Sequence, residues 1–145
     1  MSNSVNSLRI ELGDAVFRFF GIHIKKLHNY EVPKCHSHRY YELHYAKSGS
    51  YVYIFEDREV ELSAGNILII PPNFRHYIID KENPSYSFAV LSFSLTKGEN
   101  AESVYGAFRE MIDNACLRPV PMPRTFCEHI ENLASRIPCD DIFDF

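Results

Sequence analysis

The first two thirds of this 145-residue chain consist of short runs rich in apolar and aromatic residues, separated by polar and turn residues. Short runs bounded in this way, with strict alternation in the longest of them, are the mark of strands. The runs span Ala15 to Ile24, Tyr41 to Ala46, Tyr51 to Phe55, Glu59 to Leu62, Ile67 to Ile70, Tyr77 to Ile79 and Tyr86 to Leu95. Glu56-Asp57-Arg58 is a polar turn between two of them, and Pro71-Pro72 halts another. In the longest run Ala89, Leu91, Phe93 and Leu95 fall opposite Phe88 and Val90. Many short strands separated by turn residues predict an antiparallel sandwich or barrel.

Beyond Leu95 the pattern becomes helical. Asn100 is placed to cap a helix whose apolar positions are Val104, Ala107, Phe108 and Met111. Pro119, Pro121 and Pro123 predict a stiff extended break. Thr125-Phe126-Cys127-Glu128 has the form of a capping box. A stripe of Phe126, Ile130, Leu133, Ala134 and Ile137 follows, ended by Pro138, and is expected to pack on the barrel. Asp140-Asp141-Ile142-Phe143 resembles the opening turn of another helix, and the pattern stops at Phe145 as a fragment's would. The expected division is a barrel over 1–98 and a helical extension over 99–145.

Charge and cysteine usage narrow the function classes. A net charge of −4 argues against this chain gripping a nucleic-acid backbone by itself. No apolar run approaches the ~18 residues of a membrane span, and Met1 to Ser7 lacks the apolar core of a secretory signal. Cysteines 35, 116, 127 and 139 form no CxxC pair, so reduced thiols and a cytoplasmic location are expected.

The candidate chemistry lies in Cys35-His36-Ser37-His38-Arg39-Tyr40-Tyr41-Glu42 and Pro71-Pro72-Asn73-Phe74-Arg75-His76. His36, His38 and Glu42 share parity, so one extended strand would aim all three at the same side. Tyr40 and His44 have that parity too, whereas Cys35 and Arg39 have the opposite one. His76 would arrive from a second strand. Three imidazoles with a carboxylate suit a divalent transition metal such as Zn, Ni, Fe or Mn. Without a metal, Glu42 would need a protonated histidine beside it or a proton of its own, because a bare buried carboxylate is too costly.

These spacings resemble the two motifs of the cupin superfamily, G-x5-H-x-H-x3,4-E-x6-G and G-x5-P-x-G-x2-H-x3-N. His36, His38, Glu42 and Gly49 fit the first, with Tyr30 in place of the leading Gly. Gly65, Pro71 and His76 fit the second, with Asn73 for Gly and Asp80 for Asn. Asn tolerates the positive φ that Gly would supply. His36 through Tyr45, Gly49, and Leu68-Ile69-Ile70-Pro71-Pro72-Asn73 with His76 are further similar to the N-terminal effector-binding domain of AraC-type transcription regulators.

That resemblance implies a mainly β fold: a cupin double-stranded β-helix, or jelly-roll barrel, followed by one or two C-terminal α-helices. It implies a small polar effector, such as a sugar, in a pocket lined by His36, His38, Tyr40, Glu42, His44 and His76. It also implies a homodimer, and DNA bound only through a helix-turn-helix domain for which too few residues follow Pro138. The alternative is a metal-dependent cupin enzyme of dioxygenase or isomerase type, with His36, His38, Glu42 and His76 as ligands. No membrane partner is expected.

Overall fold

The structure, a computed structural model, describes residues 7–27, 35–80 and 86–136. Eight strands come first: β1 (Leu8–Leu12), β2 (Ala15–Leu27), β3 (Tyr41–Ala46), β4 (Ser50–Phe55), β5 (Glu59–Ser63), β6 (Asn66–Ile70), β7 (His76–Asp80) and β8 (Tyr86–Lys97). Then come helix α1 (Tyr105–Ala115), the short strand β9 (Val120–Pro121) and helix α2 (Arg124–Arg136). The strands form two antiparallel sheets, ordered β1-β2-β8-β3-β6-β9 and β5-β4-β7. Non-sequential neighbours such as β8 beside β3 are what a jelly roll produces.

Alternation along β3, β6 and β8 sorts side chains between two cores. Tyr41, Tyr45, Ile67, Ile69, Ala89, Phe93 and Leu95 point outward and are buried with Ile112 of α1 and with Cys127 and Ile130 of α2. Ala46, Leu68, Ile70 and Val90 point inward and meet Tyr51, Tyr53, Phe55 and Leu62 of the smaller sheet. The central strands β3, β6 and β8 of the larger sheet are therefore covered on one face by helices and on the other by the partner sheet. This explains why β6 reads as a continuous apolar run.

The helical stripe packs against the barrel at Ile130 and partly at Phe126, as expected. Side chains of Leu133 and Ala134, and the whole of Ile137, Pro138 and 140–143, lie outside the described residues. Several local expectations are corrected. Strand β1 lies ahead of the first run read from the sequence. Leu8, Ile10 and Leu12 alternate with Arg9 and Glu11 as a strand's residues do, so the signal was present and went unread, although all five residues are exposed. Met111 is 59% exposed, and Ile112 occupies the buried position instead. Thr125 lies inside the first turn of α2, which starts at Arg124 and uses the Pro123 carbonyl as its first acceptor.

Asn100 does not cap α1; its side chain accepts from the Glu102 N–H at 2.9 Å, one turn too early. The cap comes from Asp14, in the β1–β2 turn. Its carboxylate accepts from the N–H groups of Val104 and Tyr105, each at 2.7 Å, and its own N–H donates to the Glu102 carbonyl at 2.8 Å. A carboxylate at a helix start satisfies orphan donors and complements the helix dipole. Gly13 makes this junction possible. Its φ is +57°, and a Cβ there would sit 2.7 Å from both the Glu102 carbonyl oxygen and Val104 Cγ2.

Gly13→Ala should destabilise the protein by at least the ~1–2 kcal/mol that left-handed backbone costs a residue with a Cβ, measured by urea unfolding. Hydrogen bonds from Tyr105 and Val104 hold the Asp14 carboxyl below its ordinary 3.8. A depressed carboxylate contributes stability that is complete above its unfolded value and lost as pH falls through the folded one. Asp14→Asn keeps an acceptor without the charge, so its melting temperature should fall less than the wild type's below pH 3.8.

Candidate functional site

The site is assembled by two backbone ties. His36 and His76 form an isolated antiparallel bridge, exchanging N–H···O bonds of 2.9 Å in both directions. Two residues on, the Asn73 N–H donates to the His38 carbonyl at 2.6 Å. Asn73 has φ +62°, so asparagine here does take the left-handed backbone that the motif assigns to glycine. The turn between β6 and β7 is thereby pinned against the segment before β3.

That segment is a correction to the sequence reading. His36, His38 and Glu42 do not share one strand: β3 begins only at Tyr41, and residues 37–40 are irregular. The alternation survives all the same. Cys35, Ser37 and Arg39 are exposed, while His36, His38 and Tyr40 are partly buried on the other side. In place of a continuous strand partner, His36 pairs with His76 at the start of β7 and the His38 carbonyl accepts from Asn73 in the turn before it.

All six anticipated residues come together. His38 Nε2 lies 3.2 Å and His76 Nε2 3.9 Å from Glu42 Oε1, and His44 Nε2 lies 3.1 Å from Glu42 Oε2. The His36 and His76 rings are 4.4 Å apart between centroids, and those of His36 and His38 5.0 Å. Tyr40 stacks on His38 at 5.2 Å, its hydroxyl 3.3 Å from Nδ1 of that ring. Glu42, His44 and His76 are almost wholly buried.

Two overlapping sets of donor atoms, His36-His38-Glu42 and Glu42-His44-His76, each lie within 4.8 Å of one another and could hold a metal ion. Glu42 belongs to both. The chemistry of the donors fits: imidazole nitrogens and a carboxylate oxygen serve Zn, Ni, Fe and Mn. So does their state. His76 donates its Nδ1–H to the Phe74 carbonyl at 2.8 Å, which leaves the Nε2 lone pair facing Glu42. Burial pushes His76 down to about 4, and burial also lowers His38. Glu42 is pushed up by burial, but the hydrogen bond with His44 and the fields of His44, His38 and His76 outweigh that and hold it below its ordinary value.

Glu42 Oε1 and His76 Nε2 are buried and make no hydrogen bond among the described residues. Both are acceptors, so their complement is a cation or a molecule rich in donors.

Two further residues enter the site that the motif did not name. Tyr53 is fully buried, and its hydroxyl lies 2.9 Å from His44 Nδ1. The alternation of β4 could not say which face Tyr53 takes. Ser92 lies opposite Glu42 across β3 and β8, also fully buried, its Oγ without a hydrogen-bond partner among the described residues. A serine at an inward position beside Val90 was the available signal. Cys35 is exposed and free, and Cys116 and Cys127 are free as well; Cys139 lies outside the described residues.

A jelly-roll barrel with converging histidines and a carboxylate at its interior defines a protein of the cupin class. A family described as the AraC-like ligand binding domain matches residues 20–138, and the chain belongs to it. Its membership supports a role in binding a ligand. Among solved structures, a cupin-like protein from Thermotoga maritima is 13% identical, with a TM-score of 0.46 over 73% of this chain and 87% of that one. A cupin protein from Bacteroides fragilis is 21% identical, with a TM-score of 0.42 over 71% and 87%. KdgF from Halomonas sp. is 18% identical, with a TM-score of 0.37 over 59% and 76%. No curated protein matches the chain. Among the described residues no helix is long and apolar enough to cross a membrane.

Ser92→Ala tests whether the buried polar face is held by internal bonding. It removes a buried hydroxyl that has no partner, so stability in urea should be unchanged or rise by about 1 kcal/mol. A fall of that size would reveal a bond at Oγ.

Proposed function

We propose that this barrel is the ligand-sensing and dimerisation domain of an AraC-family transcription regulator. A small polar effector, such as a sugar, binds among His36, His38, Tyr40, Glu42, His44 and His76. The observation that supports this is the pair of buried, unsatisfied acceptors, Glu42 Oε1 and His76 Nε2, in a polar patch bordered by the apolar interior of the barrel. Hydroxyl groups of a polyol would donate to them, and Tyr40 would supply an aromatic wall.

Signal output needs two arrangements that the effector binds with different affinity. The route out is short. Tyr41, next to Glu42 on β3, points the other way and donates its hydroxyl to Asp113 of α1 at 2.8 Å. Movement of β3 would thus be felt by the helices that follow the barrel. A homodimer would present paired DNA-reading modules to paired half-sites, each module following this domain in the chain. The location is cytoplasmic on this reading.

A second reading is favoured by the donor set itself. His36, His38, Glu42 and His76 would bind one divalent transition metal, leaving positions for substrate in an enzyme of dioxygenase or isomerase type. A bound metal would supply a Lewis acid at that point. What the chain supplies is two lowered histidines and an ionised carboxylate already facing one another.

Thermal-shift titration with a panel of monosaccharides and polyols should find a compound that raises the melting temperature, with the rise lost in Glu42→Gln. If metal-loaded protein shows no such shift but turns over a small substrate, the enzyme reading replaces the regulator one. Elemental analysis after reconstitution with Zn or Ni should give stoichiometric metal in the wild type and a loss of about 10-fold or more in affinity in His76→Ala.

A further inference from the structure

Two buried hydrogen-bonding distances run in series behind the site. The Tyr53 hydroxyl is 2.9 Å from His44 Nδ1, and His44 Nε2 is 3.1 Å from Glu42 Oε2. Tyr53, His44 and Glu42 are each no more than 1% exposed. The direction of the chain follows from what each atom can do. A carboxylate oxygen accepts only, so His44 Nε2 must carry the proton that faces it. With that proton on Nε2, Nδ1 of a neutral ring is a lone pair, and the tyrosine hydroxyl is the group that donates to it. The opposite tautomer would set two lone pairs against each other at 3.1 Å, too close for a water molecule to lie between them.

We infer that Tyr53 and His44 are positioning residues that fix the Glu42 carboxylate, and that His44 is not a ligand of the site although its ring lies within the metal-capable cluster. Its Nε2 spends its proton on Oε2, and its lone pair points away, toward Tyr53. Oε2 is thereby occupied, and Oε1 is the oxygen turned toward His38 and His76. His76 is built the other way round: Nδ1–H is held by the Phe74 carbonyl, and Nε2 faces inward as a lone pair. The two histidines therefore differ in tautomer, and only His76 offers a donor atom. Residue 44 selects which carboxylate oxygen works and prevents the carboxylate from turning. This rests on the reading of Glu42 as the central acceptor of the site.

The test has two arms on the full chain. In metal-free protein at neutral pH, long-range 1H–15N correlation of the histidine rings should show the proton of His44 on Nε2 and that of His76 on Nδ1. Tyr53→Phe should shift His44 toward a mixture of tautomers while leaving His76 unchanged. In the second arm, Co2+ is titrated and its visible absorption followed. Tyr53→Phe and His44→Leu should weaken Co2+ binding by about 10–100-fold. His44→Gln, whose amide N–H can take the place of Nε2–H, should recover most of that loss. A proton on His44 Nδ1, or equal Co2+ affinity in wild type, Tyr53→Phe and His44→Leu, would overturn the inference. A wild type that binds no Co2+ would instead remove the metal reading, and the tautomers would still decide the roles of Tyr53 and His44.

Discussion

The constraint around which this barrel is organised is the burial of one negative charge. Glu42 stands on a central strand, 1% exposed, between two sheets whose facing surfaces are tyrosine, phenylalanine, leucine and isoleucine. An uncompensated carboxylate there would take a proton or unfold the strand. The structure meets the cost at one oxygen, through ring N–H donation from His44 Nε2 to Oε2, while Oε1 faces His38 and His76. Compensation of this kind stabilises the ionised form without consuming every acceptor. Glu42 Oε1 and His76 Nε2 are among the atoms left over, at the point where the interior is most polar.

The surrounding architecture keeps those groups in register. The His36–His76 bridge and the Asn73–His38 bond fasten a turn of positive φ against an irregular segment. β3 is clamped between β6 and β8, so Glu42 sits opposite Ile70 on one side and Ser92 on the other. On the outer face the neighbouring Tyr41 stacks on Phe93 with ring centroids 5.2 Å apart and reaches α1 through Asp113. Interior chemistry and exterior helices are thus carried by adjacent residues of a single strand.

Much of this was legible in the chain. Short apolar runs bounded by turn residues gave seven of the strands, and the parity of residues 35–40 predicted which side chains turn inward even where no strand forms. Parity is a property of extended backbone, and that is why the wrong element still produced the right facing. The convergence of His76 with His36 and His38 came from motif spacing, since two distant segments carry no local signal of their meeting. What the sequence could not disclose is contact over long separation. Asp14 caps a helix that starts at Tyr105. Asn100, the better local candidate, bonds within its own turn. Tyr53 reaches His44 because two sheets close on each other, and strand alternation alone leaves that face undetermined.

The most direct check on this account is anomalous diffraction from crystals of the chain soaked in Zn2+ or Co2+. It predicts one peak at about 2.0–2.2 Å from an oxygen of Glu42 and from Nε2 of His76, with the His44 ring outside bonding distance. A peak held by other residues, or none with the imidazoles of His36, His38 and His76 turned away from Glu42, would contradict it.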